Sequence, residues 1–98
     1  MALLSDEQVR QQLQHLDGWS QQGKAILRQF EFADFKGSME FVNRVADAAE
    51  AAGHHPDITI NYNKVTLLLT SHDSGGVTDR DAKMAAKINE VGGSKKAA

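Results

Sequence analysis

Cysteine is absent from this chain of 98 residues, and proline occurs once, at Pro56. The lack of cysteine excludes disulfide bonds, thiol nucleophiles and cysteine-based zinc sites, and it suits a reducing compartment. The N-terminus also lacks a long apolar stretch, because a charge follows early, at Asp6. We therefore expect neither a signal peptide nor a transmembrane segment, and we expect a cytoplasmic protein with no membrane partner.

Neither sign of charge dominates, since the formal net charge is −2 with the histidines neutral. Bulk electrostatics therefore gives the chain no attraction for phosphate backbones, and we expect no direct nucleic-acid binding. The hydrophobic fraction of 41% and the charged fraction of 24% are ordinary for a folded protein. A chain of this length supports one hydrophobic core, so residues 1–98 are predicted to form a single domain, with 93–98 as a flexible tail.

The first half of the chain predicts a helix followed by two strands. Ser5 to Gln8 has the pattern of a capping box, and the helix that it begins would end at Gly18. A turn at Gln22-Gly23 precedes a strand from Ile26 to Phe32. Arg28 breaks the alternation of apolar and polar residues in that strand, so we expect it to be frayed or bent there.

The second half repeats this order and adds a last helix. A helix with a clear apolar stripe begins at Phe35, and Gly53 suits the left-handed conformation that ends it. Two strands follow on both sides of a turn near Asn63. Thr78 is predicted to cap the last helix, which Gly92-Gly93 would end. Together these elements predict a two-layer α+β fold, with a four-stranded antiparallel sheet and helices packed on one face.

Three of the four histidines lie at the ends of the second predicted hairpin. His54 and His55 precede its first strand, and His72 follows its second strand. With a turn centred on Asn63, residue 54 lies opposite residue 72, and antiparallel partners are about 5 Å apart at Cα. We therefore expect His54 and His72 to be neighbours at one edge of the sheet.

Two carboxylates are predicted to lie near these histidines. Glu50 precedes His54 by one helical turn, and Asp81 lies in the first turn of the last helix. A carboxylate beside an imidazole fixes its tautomer. Because an unperturbed histidine titrates near ~6.5, it can accept and donate a proton at neutral pH. The cluster is therefore a candidate for acid–base catalysis.

Two other interpretations of the histidine cluster stay open. The histidines could serve only as hydrogen-bonding groups of the fold, or three of them with a carboxylate could hold zinc. The zinc site is less favoured, because adjacent side chains such as His54 and His55 diverge on an extended segment. Pro56 has a structural reason of its own, since it holds His55 extended and ends the preceding helix. Trp19 is more often a core residue than a stacking platform.

One spaced pattern contains all of these candidates: Glu50, His54-His55-Pro56, Tyr62, His72 and Asp81. The pattern resembles that of the pterin-4a-carbinolamine dehydratase family. Further segments that look like this family are Gly18-Trp19, Phe30 with Phe32, Asp34-Phe35, Phe41 with Arg44-Val45, Tyr62-Asn63-Lys64-Val65, and Gly76-Val77-Thr78. The resemblance extends from about Trp19 to Val91.

The resemblance implies a hydro-lyase. Members of the family convert a 4a-hydroxytetrahydropterin to a quinonoid dihydropterin and water, which helps to recycle the cofactor of aromatic amino-acid hydroxylases. One imidazole would protonate the departing C4a hydroxyl, and another would take the proton of N5, each contributing ~10²–10⁴-fold. No metal or redox cofactor is implied, because no electrons change hands.

Carried onto this sequence, the resemblance implies catalytic roles for His54, His55 and His72. The implied substrate-binding residues are these three with Pro56, Ser71, Asp73 and Ser74, and the implied supporting residues are Glu50, Asp81 and Trp19. Family members pair sheet edges and pack helices, so a homodimer or homotetramer is expected.

Two other functions stay open at this point. The chain could be a non-catalytic pterin-binding or protein-dimerisation module of the same fold, since some animal members stabilise dimers of a homeodomain transcription factor. It could also be an unrelated metal-dependent hydrolase that uses the same cluster.

Overall fold

The computed structural model describes residues 2–92, which form three helices and four strands in the predicted order. The elements are α1 (Asp6–Leu13), β1 (Ser20–Gln22), β2 (Ala25–Glu31), α2 (Phe35–Ala52), β3 (Asp57–Asn61), β4 (Lys64–Leu69) and α3 (Asp79–Gly92). The strands form one sheet in the order β1-β2-β4-β3, and all neighbouring strands are antiparallel. The predicted α+β fold is therefore confirmed.

The hydrophobic core lies between one face of this sheet and the helices. Alternate residues of β2 and β4 point into it, as the period of two requires. These strand residues and the helix residues that meet them are Ile26, Phe30, Val65, Leu67, Leu69, Phe41, Val45, Ala49, Ala85 and Ile88, all buried. The ring of Phe41 lies 4.6 Å from that of Phe30 between centroids, which fixes α2 against the middle of the sheet.

Helix α2 carries the chain from one end of the sheet to the other. It begins where the side chain of Asp34 accepts a hydrogen bond from the amide of Gly37, at 2.8 Å. It ends at Gly53, whose φ of 65° is the left-handed conformation that glycine adopts freely. Its 18 residues span about 27 Å, so it delivers the segment that begins at His54 to the far edge of the sheet.

Helix α1 is shorter than predicted. Its capping box is confirmed, because Ser5 and Gln8 exchange backbone-to-side-chain hydrogen bonds. The helix ends at Leu13 rather than at Gly18, since the next amides bond three residues back, as from Leu16 to the carbonyl of Leu13 at 3.2 Å. This tighter turn swings Leu16 into the core, where it is buried.

The predicted irregularity at Arg28 is wrong, because β2 pairs with β4 without interruption. The guanidinium donates to the carbonyl of Asp17 at 2.7 Å and to the side-chain oxygen of Asn89 at 2.8 Å. It also lies 4.3 Å from the ring centroid of Phe30. Because these partners satisfy its guanidinium, Arg28 can lie at the margin of the core-facing side of the sheet without distorting the strand.

The C-terminal helix begins at the predicted cap. The amide of Arg80 donates to the hydroxyl of Thr78 at 3.2 Å, and the amide of Thr78 donates to the carboxylate of Asp81 at 2.8 Å. The predicted flexible tail, 93–98, lies outside the described residues. Within residues 2–92, no helix is both long enough and apolar enough to cross a bilayer.

Candidate active site

The candidate site forms at the end of the sheet where α2 and β4 both end. The amide of His54 bonds to the carbonyl of Ala49 at 3.2 Å, which turns the chain sharply out of α2. β3 then pairs antiparallel with β4, and its register places Asp57 across from Leu68. Extended outward, this register places residue 54 across from residue 71, one residue from the predicted pairing with 72. The turn is therefore centred between Tyr62 and Asn63, yet the two histidine segments still meet.

An open cleft of about 360 Å³ lies at this end of the sheet. Its lining brings together five of the seven predicted catalytic and substrate-binding residues, namely His54, His55, Ser71, His72 and Asp73, together with Gly53, Thr70 and Arg80. The three histidines therefore share one cavity, as their positions around the hairpin predicted. The cleft has room for a small heterocyclic molecule and opens to solvent.

His54 is held by a buried carboxylate. Its Nε2 lies 2.6 Å from Oδ1 of Asp81, and the two side chains are 11% and 0% exposed. The contact joins the end of α2 to the first turn of α3 across the bottom of the cleft. Because the carboxylate of Asp81 is fully buried, water cannot replace the imidazole as its partner, whereas water can replace a partner at the surface.

The second oxygen of Asp81 is fully used by the fold. Oδ2 accepts from the hydroxyl of Ser71 at 2.9 Å and from the amide of Thr78 at 2.8 Å. The hydroxyls of Ser71 and Thr78 are 2.8 Å apart. Because a hydroxyl has one hydrogen and Ser71 gives its own to Asp81, Thr78 must donate to Ser71. Hydrogen bonds thus run in one direction, from Thr78 through Ser71 to Asp81.

This chain of bonds sets the tautomer of His54. Oδ1 of Asp81 needs a donor, and the nearest one is Nε2–H of the imidazole. In neutral His54 the other nitrogen, Nδ1, then carries the lone pair. The buried network therefore leaves His54 with a proton acceptor on the nitrogen that Asp81 does not occupy, which is what a general base requires.

His55 has a carboxylate partner as well, but an exposed one. Its Nε2 lies 2.7 Å from Oε2 of Glu50, and the two side chains are 60% and 77% exposed. His54 and His55 thus turn to different carboxylates, which is the divergence expected of adjacent residues. Glu50 serves His55 rather than His54, and water and salt screen the pair.

His72 projects from a tight turn that closes the cleft on its second side. An isolated bridge joins Ser71 and Gly76, and the amide of Gly75 donates to the carbonyl of Ser71 at 2.9 Å. Gly75 has a φ of +82°, which favours glycine at this corner. The backbone of the turn is fixed by these bonds, while the side chain of His72 is exposed to the cleft.

Arg80 is a cleft residue that the sequence analysis missed. It precedes Asp81 in the first turn of α3, and its guanidinium donates to Asp73 at 2.7 Å. This hydrogen bond lowers the pKa of Asp73 below its ordinary value. The pair therefore persists at neutral pH and is lost only as the pH falls through that lowered pKa. The sequence signal was its position, since a residue before Asp81 on a helix end must lie near the cleft.

Three other predicted residues lie outside the lining of the cleft. Pro56 is buried behind His55 at the start of β3. Ser74 is half-buried in the turn, where its amide bonds to the carbonyl of Ser71 at 3.0 Å. Trp19 is a core residue, whose indole donates to Asn89 at 2.8 Å. Trp19 can therefore influence the site only indirectly, through its contact with Asn89 of α3.

A metal ion is the alternative ligand for the same cluster. Between residues 2 and 92, no three histidine, aspartate or glutamate side chains are grouped so that they could hold an ion. His54 and His55 point to Asp81 and Glu50 respectively, so the two imidazoles do not converge on one point.

Comparison with known proteins identifies close relatives over nearly the whole chain. The family model described as pterin 4 alpha carbinolamine dehydratase matches residues 2–91. A protein of Koribacter versatilis, named "Putative pterin-4-alpha-carbinolamine dehydratase", is 61% identical over 90% of this chain and 94% of its own length. A protein of Thermomicrobium roseum with the same name is 52% identical over 93% of this chain and 98% of its own.

Solved structures agree with this comparison. A crystal structure described as a transcriptional coactivator/pterin dehydratase from Brucella melitensis matches with a TM-score of 0.86 and 38% identity, over 90% of this chain and 96% of that one. A pterin dehydratase-like protein, described as a RuBisCO assembly factor in the alpha-carboxysome, matches with a TM-score of 0.67 and 24% identity, over 81% of this chain and 94% of that one. At that identity the second likeness concerns the fold alone.

Proposed function

This chain belongs to the pterin-4a-carbinolamine dehydratase family, and from that premise we propose that it dehydrates a 4a-hydroxytetrahydropterin to the quinonoid dihydropterin. The observation that carries the proposal is the buried pair of His54 and Asp81, 2.6 Å apart, at the bottom of a cleft that two further histidines line. A protein that only binds a partner has no need to orient an imidazole in this way.

The reaction requires two proton transfers and no electron transfer. The N5–H bond breaks as the C4a–N5 double bond forms, and the C4a hydroxyl leaves with one added proton as water. His54, with its free Nδ1, accepts the N5 proton. His55 or His72 gives a proton to the leaving hydroxyl. Each transfer by a placed imidazole contributes ~10²–10⁴-fold, and the cleft holds an imidazole for each of the two transfers.

The direct test is dehydration of a chemically generated carbinolamine, followed by the change in its ultraviolet absorbance. We expect the protein to accelerate the spontaneous reaction, and we expect the rate to survive dialysis against a chelator. The absence of acceleration would leave the non-catalytic module as the better interpretation. Activity that a chelator removes and zinc restores would instead favour the metal-dependent alternative.

The non-catalytic module remains the second candidate for a specific reason. The Brucella relative is described by both a coactivator role and a dehydratase role, so one protein of this fold is associated with two functions. Binding of a pterin without any rate acceleration would support this candidate here. The oriented imidazole of His54 is the feature that favours catalysis.

We also propose that the protein self-associates through β3. This strand lies at the edge of the sheet, all of its residues are exposed, and Ile58 and Ile60 are 38% and 36% exposed. An apolar strand edge of this kind is open to pairing with another chain. Light scattering at micromolar concentration should give the mass of a dimer or tetramer, and Ile60→Lys should lower it. Thr59→Lys, on the opposite face, is the matched control, and a monomer mass for the unmodified protein would contradict the proposal.

A further inference from the structure

A second groove lies beside the candidate active site, between the end of α2 and the outer face of α3. It has a volume of about 160 Å³, and its lining residues are Ala52, His54, Arg80, Lys83, Met84 and Lys87. His54 and Arg80 also line the catalytic cleft. The groove is therefore a lateral extension of that cleft, and the imidazole of His54 stands where the two meet.

The groove concentrates positive charge in a protein whose net charge is −2. Arg80, Lys83 and Lys87 follow one another at spacings of three and four, which places them on the same side of α3. Within residues 2–92, Lys83 has no ion-pair partner, and Lys87 bonds only to Glu90, at 3.1 Å and with both side chains largely exposed. These two ammonium groups are available to a ligand.

Arg80 adds a donor that the fold does not use. One nitrogen of its guanidinium bonds to Asp73, but Nε is buried and has no hydrogen-bond partner among the described residues. A buried donor without a partner is costly, because the group has lost its water without gaining another acceptor. Nε is therefore an unsatisfied donor on a side chain that lines both the cleft and the groove.

The walls of the groove are apolar below these charges. Ala52 and Met84 contribute methyl and thioether surface, and the exposed Lys83 and Lys87 add the carbon stems of their side chains to the lining. A short carbon chain that ends in an anionic group fits this arrangement. The carbon chain would contact the apolar walls, and the anionic group would meet the ammonium groups of Lys83 and Lys87.

We propose that this groove binds an anionic side chain of the pterin substrate, so that the preferred substrate is a 4a-hydroxytetrahydropterin with a phosphate on its side chain. The inference rests on the proposed dehydratase function, because the groove opens from the cleft in which the pterin ring would lie. The ring is held beside the histidines, and the substituent extends past His54 toward Lys83 and Lys87.

The test compares two carbinolamines that differ only in phosphorylation of a side-chain hydroxyl. We expect kcat/KM to be at least about tenfold higher for the phosphorylated compound, and we expect this preference to shrink as ionic strength rises. In the double variant Lys83→Gln/Lys87→Gln, the ratio of the two kcat/KM values should fall about tenfold. Lys36→Gln/Lys64→Gln removes the same charge from the opposite end of the molecule and serves as the control.

Each outcome separates this inference from the function on which it rests. Equal kcat/KM for the two compounds, or an unchanged ratio in the Lys83/Lys87 variant, overturns the proposed role of the groove while the dehydratase function stands. A ratio that falls equally in the control variant assigns the effect to net charge and also overturns the proposed role of the groove. Dehydration of neither compound overturns the proposed function and the inference together.

Discussion

His54→Ala should lower kcat/KM for carbinolamine dehydration by about 100-fold, and His72→Ala by at least about tenfold. The two effects differ because the two side chains are held differently. His54 is oriented by a buried carboxylate, whereas His72 is exposed on a turn. A fixed imidazole offers its lone pair in one direction, and a mobile one must first be positioned by the substrate.

The two variants should also differ in their free energy of unfolding. Removal of His54 leaves Oδ1 of the buried Asp81 without its donor, which costs about 1–3 kcal/mol of unfolding free energy. Removal of the exposed His72 should change it by less than about 0.5 kcal/mol. Urea midpoints of both variants measure this difference. His54→Gln is the matched control, because its amide can still donate to Asp81 but cannot transfer a proton.

We expect His54→Gln to recover most of the lost stability and little of the lost activity. The double variant His54→Ala/His72→Ala should lose less than the product of the two single losses, because groups that act on one event are not additive. Full activity in either single variant would show that its assigned role is wrong. If His54→Gln regained activity together with stability, His54 would serve the fold alone.

The local signals in the sequence were strong enough to predict the element order and the meeting of the histidines. The capping box at Ser5, the left-handed Gly53 and the hairpin between β3 and β4 depend on neighbouring residues, which a sequence displays directly. A register error of one residue did not matter, because both histidine segments lie just beyond the paired strands. The roles of the site residues stay predictions, as does the cellular location.

Contacts between distant segments were harder to predict. Arg28 was expected to disturb β2, yet its partners Asp17 and Asn89 come from two other parts of the chain. Arg80 was missed although its place before Asp81 was a signal, because the groove that it lines exists only after α3 packs beside α2. The pairing of Glu50 with His55, and of Asp81 with His54, likewise depends on side-chain directions that spacing alone does not determine.

Asp81→Asn should reduce kcat/KM by at least about 100-fold while leaving the protein folded. The asparagine oxygen can still accept from Ser71 and from the amide of Thr78, which satisfies the cap of α3. Its amide group then faces His54, and because that group is a donor, Nε2 must become the acceptor. The proton of the neutral imidazole moves to Nδ1, and the general base is lost from the cleft. Asp81→Ala should in addition destabilise the fold by about 3 kcal/mol, since it removes the acceptor of the Ser71 hydroxyl, the Thr78 amide and the His54 imidazole.

Glu50→Gln provides the matched comparison, because it alters the other carboxylate–histidine pair of the same cleft. The two contacts differ by only 0.1 Å in length, but Glu50 is 77% exposed and Asp81 is 0% exposed. Water and ions can replace an exposed carboxylate, so we expect Glu50→Gln to lower kcat/KM by less than about threefold. Steady-state rates and pH profiles of both variants, measured side by side, test whether burial sets the importance of a pair. Equal losses in the two variants would contradict that reasoning, and full activity in Asp81→Asn would remove the basis for assigning His54 as the base.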